Sequence, residues 1–457
     1  MIRIDTQLEA RSLLTPIRSL FELSAQKIER LKRTWDSSKG TPVYTVEGKY
    51  TSRGWTEWTQ GFQFGSSILQ FDAGGDTTFL DQGRTGTVEH MATHVSHVGV
   101  HDHGFNNVST YGNLLRLMHE GRIAENPWEQ RFYELALKTS GAVQAARWTD
   151  LGDGSGYIYS FNGPHSLFAD TIRSLRALAV AHQLGHVLMG ERDRKISLLE
   201  RILQHAETTA RFAVYFGEGR DSYDVRGRVA HESIFNTNDR SYRCPGTQQG
   251  YSPFSTWTRG LAWILCGYAE EAEFMETRSD EELQGKKSAV IDRFIDVACA
   301  VADFYIEQTP ADGIPYWDTG APRLVRMGDY LSVPANPFND HEPVDSSAAA
   351  IAAQGLIRLG HWLSSQGGGE RGKKYFQAGL TVARTLFGDP YISRSPDHEG
   401  LILHSVYHRP NGWDYIPPGR LIPMGEATMW GDYHARELAL LILRLGENKP
   451  YLTFFLR

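Results

Sequence analysis

Cysteine is scarce in this 457-residue chain, which contains only Cys244, Cys266 and Cys299. Three widely spaced cysteines provide neither the paired spacing of a zinc site nor the even-numbered framework of a disulfide-rich fold. We therefore expect buried or incidental thiols, and a fold that depends on neither a structural metal nor disulfide bonds.

Long apolar runs and an excess of basic residues are also missing. No segment approaches the roughly 18 apolar residues that a membrane-spanning helix requires, and Met1-Ile2-Arg3-Ile4-Asp5 does not resemble the start of a secretory leader. The formal net charge of -7 argues against a nucleic-acid-binding protein, because the footprint of such proteins is usually basic. The sequence thus predicts a cytoplasmic protein with neither a membrane nor a nucleic-acid partner.

Strand signals are few, and helical periodicity dominates. Leu13, Ile17, Leu20 and Phe21 recur at helical intervals within residues 10–31. The same pattern predicts further helices at residues 61–74, 80–97, 106–121, 126–146, 166–187, 192–216, 255–275, 287–308, 345–365, 370–387 and 430–445. About a dozen helices of this kind would pair as roughly six antiparallel hairpins.

Two long stretches lack this periodicity. Residues 217–254 and 310–344 hold Tyr, His, Trp, Asp and Pro with little apolar patterning. Long loops in a compact fold are usually functional or disordered, and their aromatic content favours binding loops. Since no low-complexity linker divides the chain, we expect one all-α domain over residues 1–457, a toroid of helical hairpins with a site at one mouth.

Two aspartates stand in contrasting sequence surroundings. Asp102 lies in a polar turn between His101 and His103, whereas Asp170 lies among apolar residues at the start of a predicted helix. Two carboxylates in different environments can provide one proton donor and one stabilising anion near neutral pH. Apolar flanks are expected to raise the pKa of Asp170 by desolvation. The many Trp, Tyr and His residues nearby favour a sugar as the ligand.

Structural interpretations of these residues stand beside the functional ones. Asp near a helix start interacts favourably with the helix dipole, and Asp before glycine is a common turn residue. His90, His94, His97 and His101 recur at helical spacing, and two histidines four residues apart can bind zinc. Because cysteine ligands and a clear acidic partner are missing there, we predict no metal and no cofactor.

Motifs rich in aromatic and acidic residues follow one another along the chain. They are, in order, Trp58-Thr59-Gln60-Gly61-Phe62, His101-Asp102-His103-Gly104-Phe105, Arg147-Trp148-Thr149-Asp150, Gln249-Gly250-Tyr251-Ser252 with Ser255-Thr256-Trp257-Thr258-Arg259-Gly260-Leu261-Ala262-Trp263, Pro315-Tyr316-Trp317-Asp318, Asp345-Ser346-Ser347-Ala348, and Val406-Tyr407-His408 leading to Trp430-Gly431-Asp432-Tyr433. Together they resemble the unsaturated glucuronyl hydrolases, glycoside hydrolase family 88, over about residues 55 to 445. One such motif is a weak signal, whereas the ordered set is specific.

The resemblance implies an (α/α)6 barrel and a metal-free glycosidase. Family members release the non-reducing-end Δ4,5-unsaturated uronic acid from oligosaccharides that polysaccharide lyases generate. They hydrate the vinyl ether: a carboxylic acid protonates C4, water is captured at C5, and the hemiketal opens so that the aglycone leaves. The implied partner is an unsaturated uronic-acid oligosaccharide, and we expect a monomer or a homodimer.

The resemblance also assigns roles to single residues. It makes Asp170 the general acid and base, and Asp102 the second essential aspartate, which orients the sugar. The implied substrate-binding residues are Trp58, His101, Trp148, His231, Gln249, Arg259 and Trp263. Trp58 and Trp148 match aromatic walls of the pocket, and Gln249 matches a glutamine that helps to position water. Arg259 suits a substrate carboxylate because its guanidinium binds bidentately, although a structural Arg–Asp pair uses the same geometry.

Departures from the family pattern, among them a longer segment between Trp148 and Asp170, leave the sugar and linkage preference open. Phe168-Ala169-Asp170-Thr171 stands where the family has I-I-D-N, and Pro253-Phe254 replaces a polar pair after the Q-G-Y motif. Three alternatives remain beside the leading hypothesis. They are an unsaturated rhamnogalacturonyl hydrolase, a conventional hydrolase of saturated uronides, and a non-catalytic sugar-binding protein on the same fold.

Overall fold

The computed structural model describes residues 1–54 and 57–456, and helices dominate it. The α-helices are α1 Leu14–Thr34, α2 Gln60–Gly74, α3 Thr77–His90, α4 Ala92–Val95, α5 His103–Asn106, α6 Asn113–His119, α7 Pro127–Ala146, α8 Thr171–Ser174, α9 Arg176–Gln183, α10 Leu198–Phe212, α11 Thr258–Glu276, α12 Lys287–Gln308, α13 Ser346–Ser365, α14 Gly369–Leu386 and α15 Met429–Gly446. A π-helical segment, Val108–Gly112, joins α5 to α6. Short 3-10 helices are Ala10–Leu13, Ser37–Lys39, Glu57–Thr59, Glu191–Asp193, Leu324–Met327, Tyr330–Ser332 and Arg409–Asn411.

The main helices alternate along the chain between an outer and an inner layer. The inner helices α11, α13 and α15 are buried on nearly every side, as expected where a helix is apolar all round. The outer helices α1, α10 and α14 bury only one face. Neighbouring inner segments contact one another in a closed ring of α2, the π-helical segment, α9, α11, α13 and α15. Six inner segments, each preceded by an outer helix, give the predicted toroid of hairpins.

Short antiparallel strands lie between the helices. They are β1 Tyr44–Val46, β2 Lys49–Thr51, β3 Trp148–Asp150, β4 Gly156–Ile158, β5 Ser166–Phe168, β6 Leu188–Met189, β7 Lys195–Ile196, β8 Glu232–Phe235 and β9 Tyr242–Gly246. β5, β8 and β9 form a three-stranded sheet in which Phe168 pairs with Glu232. The pairing continues one residue further, where the Ala169 N–H donates to the His231 carbonyl at 2.9 Å. This sheet therefore brings Asp170 beside His231.

The structure differs from the helix prediction most clearly in two places. The predicted helix over residues 166–187 is strand β5 followed by the short helices α8 and α9, because residues 166–168 pair with β8. The predicted helix over residues 192–216 begins only at Leu198, since the β6–β7 hairpin precedes it. The predicted loop 217–254 likewise holds β8 and β9.

Buried ion pairs connect α8 to the inner helices α11 and α15. Arg173 in α8 contacts Glu270 at 2.5 Å and Glu437 at 3.2 Å, and all three side chains are almost fully buried. Since Arg173 is the third residue after Asp170, these pairs also fix the start of α8. Within the described residues, no helix is both long and apolar enough to cross a membrane. The single domain over residues 1–457 stays a prediction.

Candidate active site

A cavity lies where the helices α5, α8 and α11 begin. Asp102, Asp170 and Trp257 immediately precede α5, α8 and α11. Most predicted site residues line it, namely Trp58, His101, Asp102, Asp170, Gln249, Arg259 and Trp263. Unassigned residues complete the lining, namely Val100, Phe105, Phe161, Gln248, Trp257, Tyr407, His408 and Trp413. Because long helices such as α11 place a partial positive charge at their N-termini, the cavity favours an anionic ligand.

A single imidazole nitrogen lies between the two aspartates. His101 Nε2 is 3.2 Å from Asp170 Oδ1 and 3.8 Å from Asp102 Oδ1. Each aspartate is 8% exposed and His101 is 1% exposed, so water screens this cluster only weakly. The His101 ring contacts Phe161, which stacks on it at 6.1 Å, and Phe168, which meets it edge-on at 5.6 Å.

The two carboxylates differ in pKa, and in the direction opposite to the prediction. Burial acts to raise the pKa of Asp170, but the charge and hydrogen bond of His101, together with the charge of Arg259, outweigh burial and lower it. Burial also acts on Asp102, where it prevails over His101 with help from the repulsion of Asp170, so the pKa of Asp102 is raised. The prediction of a raised pKa for Asp170 is therefore wrong. The apolar neighbours of Asp170 are real, but His101 and Arg259, which lower its pKa, come from distant parts of the chain.

His101 responds to both carboxylates. Burial lowers the pKa of its imidazole, whereas the charges of Asp102 and Asp170 and the hydrogen bond to Asp170 raise it, and the net direction is upward. Interacting groups of this kind titrate together as a unit. The cluster of Asp102, His101 and Asp170 can therefore hold and redistribute a proton within the cavity.

The guanidinium of Arg259 is hydrogen-bonded to other residues of the chain. Its Nη1 donates to Asp345 Oδ2 at 2.7 Å and to the Val406 carbonyl, while Nη2 donates to Gln249 Oε1 and the Tyr407 carbonyl, both at 2.8 Å. The structural Arg–Asp pair is therefore the arrangement present. Arg259 positions Gln249 and contributes positive charge to the cavity lining.

His231 lies behind the cavity lining. Its ring is 4.5 Å from each of Phe168 and Trp257. Its Nδ1 accepts hydrogen bonds from the backbone N–H groups of Gln248 and Gln249 at 3.0 and 3.3 Å. Burial lowers the pKa of His231 to about 3, so the imidazole is neutral near pH 7 and shapes the Gln248–Gln249 segment.

The aromatic walls agree with the prediction only in part. Trp58 stacks on Trp430 at 5.0 Å, and Trp263 packs against Phe105 at 4.7 Å. Trp148 does not line the cavity: it lies in β3, where the Arg201 guanidinium covers its ring at 3.7 Å.

The wall is completed by aromatic residues that the sequence analysis did not assign. They are Phe161, Trp257, Tyr407 and Trp413, together with the imidazole of His408. Trp257 and Tyr407-His408 belong to the ordered motifs and could have been chosen on that signal. Phe161 and Trp413 belong to none of the motifs, so their place in the cavity lining is known only from the structure.

The histidines at helical spacing act in packing and hydrogen bonding. His94 is hydrogen-bonded to Gln60 at 2.7 Å and to Asn106 at 3.1 Å, and His90 stacks on Phe64 at 5.4 Å. Across residues 1–54 and 57–456, no group of three or more His, Cys, Asp or Glu side chains has the arrangement of a metal site.

Known proteins resemble the chain over most of its length. No family model matches it. An unsaturated glucuronyl hydrolase of Bacillus sp. (strain GL1) is 27% identical over 413 residues, which cover 87% of this chain and 89% of that protein. An unsaturated chondroitin disaccharide hydrolase of Streptococcus pyogenes serotype M1 is 24% identical over 421 residues, which cover 90% and 86% of the two chains.

The crystal structure of an unsaturated glucuronyl hydrolase specific for heparin shares the fold. Its TM-score is 0.71 at 20% sequence identity, and the match covers 97% of this chain and 100% of that one. The predicted fold class, an all-α (α/α)6 barrel, is confirmed. Together with the sequence relatives, the fold defines a glycoside hydrolase of the (α/α)6-barrel class. The resemblance predicted from the motifs, to the unsaturated glucuronyl hydrolases, is confirmed by these relatives.

Proposed function

We propose that this chain releases a Δ4,5-unsaturated uronic acid from the non-reducing end of lyase-generated oligosaccharides. The observation that carries the proposal is the pair of buried aspartates that meet at one His101 nitrogen in an aromatic-lined cavity. Aromatic faces suit sugar rings, and the helix N-termini suit the uronate charge. The relatives that match most of the chain are hydrolases of unsaturated saccharides by name.

The proposed reaction is hydration of the vinyl ether. Asp170 transfers a proton to C4, the cation at C5 is captured by water, and Asp170 accepts the proton that this water loses. The C5 hemiketal then opens and the aglycone leaves. Asp102, next to the same imidazole, orients the sugar and stabilises the positive charge that develops on the ring.

The lowered pKa of Asp170 requires a source for the proton that it delivers. The His101 imidazole, with its raised pKa, lies 3.2 Å from Asp170 and provides that source. A bound uronate adds negative charge to the cavity and raises the pKa of nearby carboxylates. Substrate binding therefore favours retention of the proton by the cluster of Asp102, His101 and Asp170.

The test is loss of the ultraviolet absorbance of the double bond. Unsaturated disaccharides from chondroitin, heparin, pectin and ulvan are each incubated with the protein, and Asp170→Asn serves as the inactive control. We expect absorbance to fall with at least one disaccharide, and Asp170→Asn to retain binding while losing turnover. Unchanged absorbance across the panel would contradict the proposal.

Water labelled with heavy oxygen identifies the bond that is attacked. Hydration places the label at C5 of the released uronic acid, whereas conventional glycoside hydrolysis places it at C1. A label at C1 would exclude the vinyl-ether mechanism while leaving a glycosidase in place.

A further inference from the structure

We infer that Ser174 and Gln144 are positioning residues that hold the His101–Asp102 segment against the helix that begins after Asp170. This inference rests on the proposed function for its kinetic consequences but not for its geometry. Neither residue belongs to the motifs or lines the cavity. Both side chains are fully buried, at 0% exposure.

The Ser174 hydroxyl joins the two aspartate-bearing segments directly. It donates to the His101 carbonyl at 2.7 Å and accepts from the Gly104 N–H at 2.9 Å. Ser174 is the last residue of α8, one turn after Asp170, whereas His101 and Gly104 flank Asp102. One hydroxyl therefore bonds on both sides of Asp102 from the helix that Asp170 starts.

Gln144 in α7 closes the hydrogen-bonded triangle. Its Nε2 donates to the His101 carbonyl at 2.8 Å and to Ser174 Oγ at 2.9 Å. Two donors thus fix the one carbonyl that orients the peptide between His101 and Asp102. Because this peptide sets where the His101 ring projects, the triangle controls the approach of Nε2 to both carboxylates.

The backbones leave little room for an alternative arrangement. A Cβ on Gly104 would lie 2.2 Å from the Ser174 carbonyl oxygen, so α5 and α8 are in direct contact. The Arg176 Nε, two residues after Ser174, donates to the Gly104 carbonyl at 2.9 Å. Loss of the Ser174 hydroxyl would therefore leave the segments adjacent but free to shift by a fraction of an ångström, and small misplacements of catalytic groups reduce rates strongly.

The kinetic test compares Ser174→Ala and Gln144→Met with Ser24→Ala. Ser24, in the outer helix α1, is equally buried, and its hydroxyl accepts a hydrogen bond from Arg436 Nε at 2.8 Å. With a disaccharide that the wild type turns over, we expect Ser174→Ala and Gln144→Met to lower kcat by about 10- to 100-fold. KM should change by much less, the pH profile of kcat should shift, and Ser24→Ala should match the wild type in both constants.

An activity-independent readout separates this inference from the proposed function. Nitrogen-15 labelled histidine reports the His101 titration by NMR, with the signal assigned from His101→Gln. The charged or titratable groups that act on His101 are Asp102, Asp170, Arg147, His205 and His231. In Ser174→Ala, we expect the His101 titration to move from its raised value towards the 6.5 of an ordinary imidazole, while Ser24→Ala leaves it in place.

Each outcome decides one of the two proposals. If no disaccharide is turned over, the proposed function fails and the NMR titration still tests the positioning role. If the folded Ser174→Ala and Gln144→Met proteins keep the wild-type kcat and His101 titration, the positioning role is overturned. Should Ser174→Ala fail to fold, Gln144→Met alone decides, since it keeps the side-chain length and removes the amide, whose oxygen accepts no hydrogen bond from the described residues.

Discussion

Arg259 and Asp345 form a buried ion pair, with Nη1 and Oδ2 2.7 Å apart and side-chain exposures of 2% and 0%. The pair joins the start of α11 to the residue that caps α13. Removing one partner of a buried pair leaves an uncompensated charge, which is strongly destabilising. The pair thus supports the cavity that Arg259 lines.

Asp345→Asn is expected to lower the free energy of unfolding by about 3 kcal/mol or more, measured by urea denaturation. The matched control is Asp296→Asn, which breaks the exposed Arg226–Asp296 pair at 2.8 Å and should change stability by less than about 1 kcal/mol. Equal effects of the two substitutions would show that the buried Arg259–Asp345 pair contributes no more to stability than an exposed pair does.

Gly104→Ala is expected to abolish activity and to destabilise the fold, because the added Cβ would lie 2.2 Å from one backbone atom of Ser174 and 2.6 Å from another. Gly74→Ala is the control: it lies at the end of α2 with nothing within 4 Å of an added Cβ. Alanine there should be neutral or stabilising by up to about 1 kcal/mol. Thermal unfolding and turnover are measured together, and a stable, active Gly104→Ala protein would refute the close approach of α5 and α8.

The sequence could predict the barrel because its helices carry regular apolar periodicity, and residues 287–308 are helical within the limits that this periodicity predicted. It could not predict β5, since Ser166-Leu167-Phe168 is apolar enough for a helix and becomes a strand only by pairing with β8, over 60 residues away. The pKa of Asp170 was predicted wrongly for the same reason. Its local neighbours are apolar, while His101 and Arg259 approach through tertiary structure.

Tertiary structure also decides which of the predicted substrate-binding residues line the cavity. Trp58 and Trp263 were predicted from motifs and line the cavity, whereas Trp148 was predicted and does not. A motif specifies the residue but not the direction of its side chain. The cation–π contact of Trp148 with Arg201, in the outer helix α10, determines that direction here.

Phe161 and Trp148 should therefore differ in their effect on substrate binding. Phe161→Ala removes an aromatic wall of the cavity and a stacking partner of His101, so we expect KM to rise about tenfold, which corresponds to about 1.4 kcal/mol and lies within the range for a lost aromatic contact. Trp148→Phe should leave KM within about twofold of the wild type, since Trp148 is not part of the cavity lining. Steady-state kinetics on the preferred disaccharide distinguish the two variants. A larger increase in KM for Trp148→Phe than for Phe161→Ala would show that Trp148, and not Phe161, forms the cavity wall.

Acid should destabilise this protein at a pH well above the pKa range of most carboxylates. The reason is that the folded protein contains several buried histidines that are neutral. Burial lowers the pKa of His205, His231 and His434 to about 3, and that of His94, His103, His404 and His408 to about 4. His205 and His231 also need an unprotonated Nδ1, since it accepts a backbone N–H from Ile158 or from Gln248.

The sign follows from proton binding. Below pH 6.5 the unfolded chain protonates these histidines while the folded protein does not, so the free energy of unfolding falls as the pH decreases from about 6.5 towards 4. Each histidine contributes up to about 1.4 kcal/mol per pH unit in that window. His101 opposes the trend, because its raised pKa favours the folded state at low pH and that contribution is lost as the pH rises above 6.5. The seven histidines with lowered pKa values together change the free energy of unfolding more than His101 does.

Urea denaturation at pH 7.5 and pH 5 measures this dependence. We expect the unfolding midpoint to be much lower at pH 5, and we expect His205→Gln, which keeps an acceptor for the Ile158 N–H, to reduce the difference between the two pH values. The variant carries one neutral histidine fewer, so the unfolded chain takes up one proton fewer. A midpoint that is the same at both pH values would show that these imidazoles are not held neutral in the folded protein.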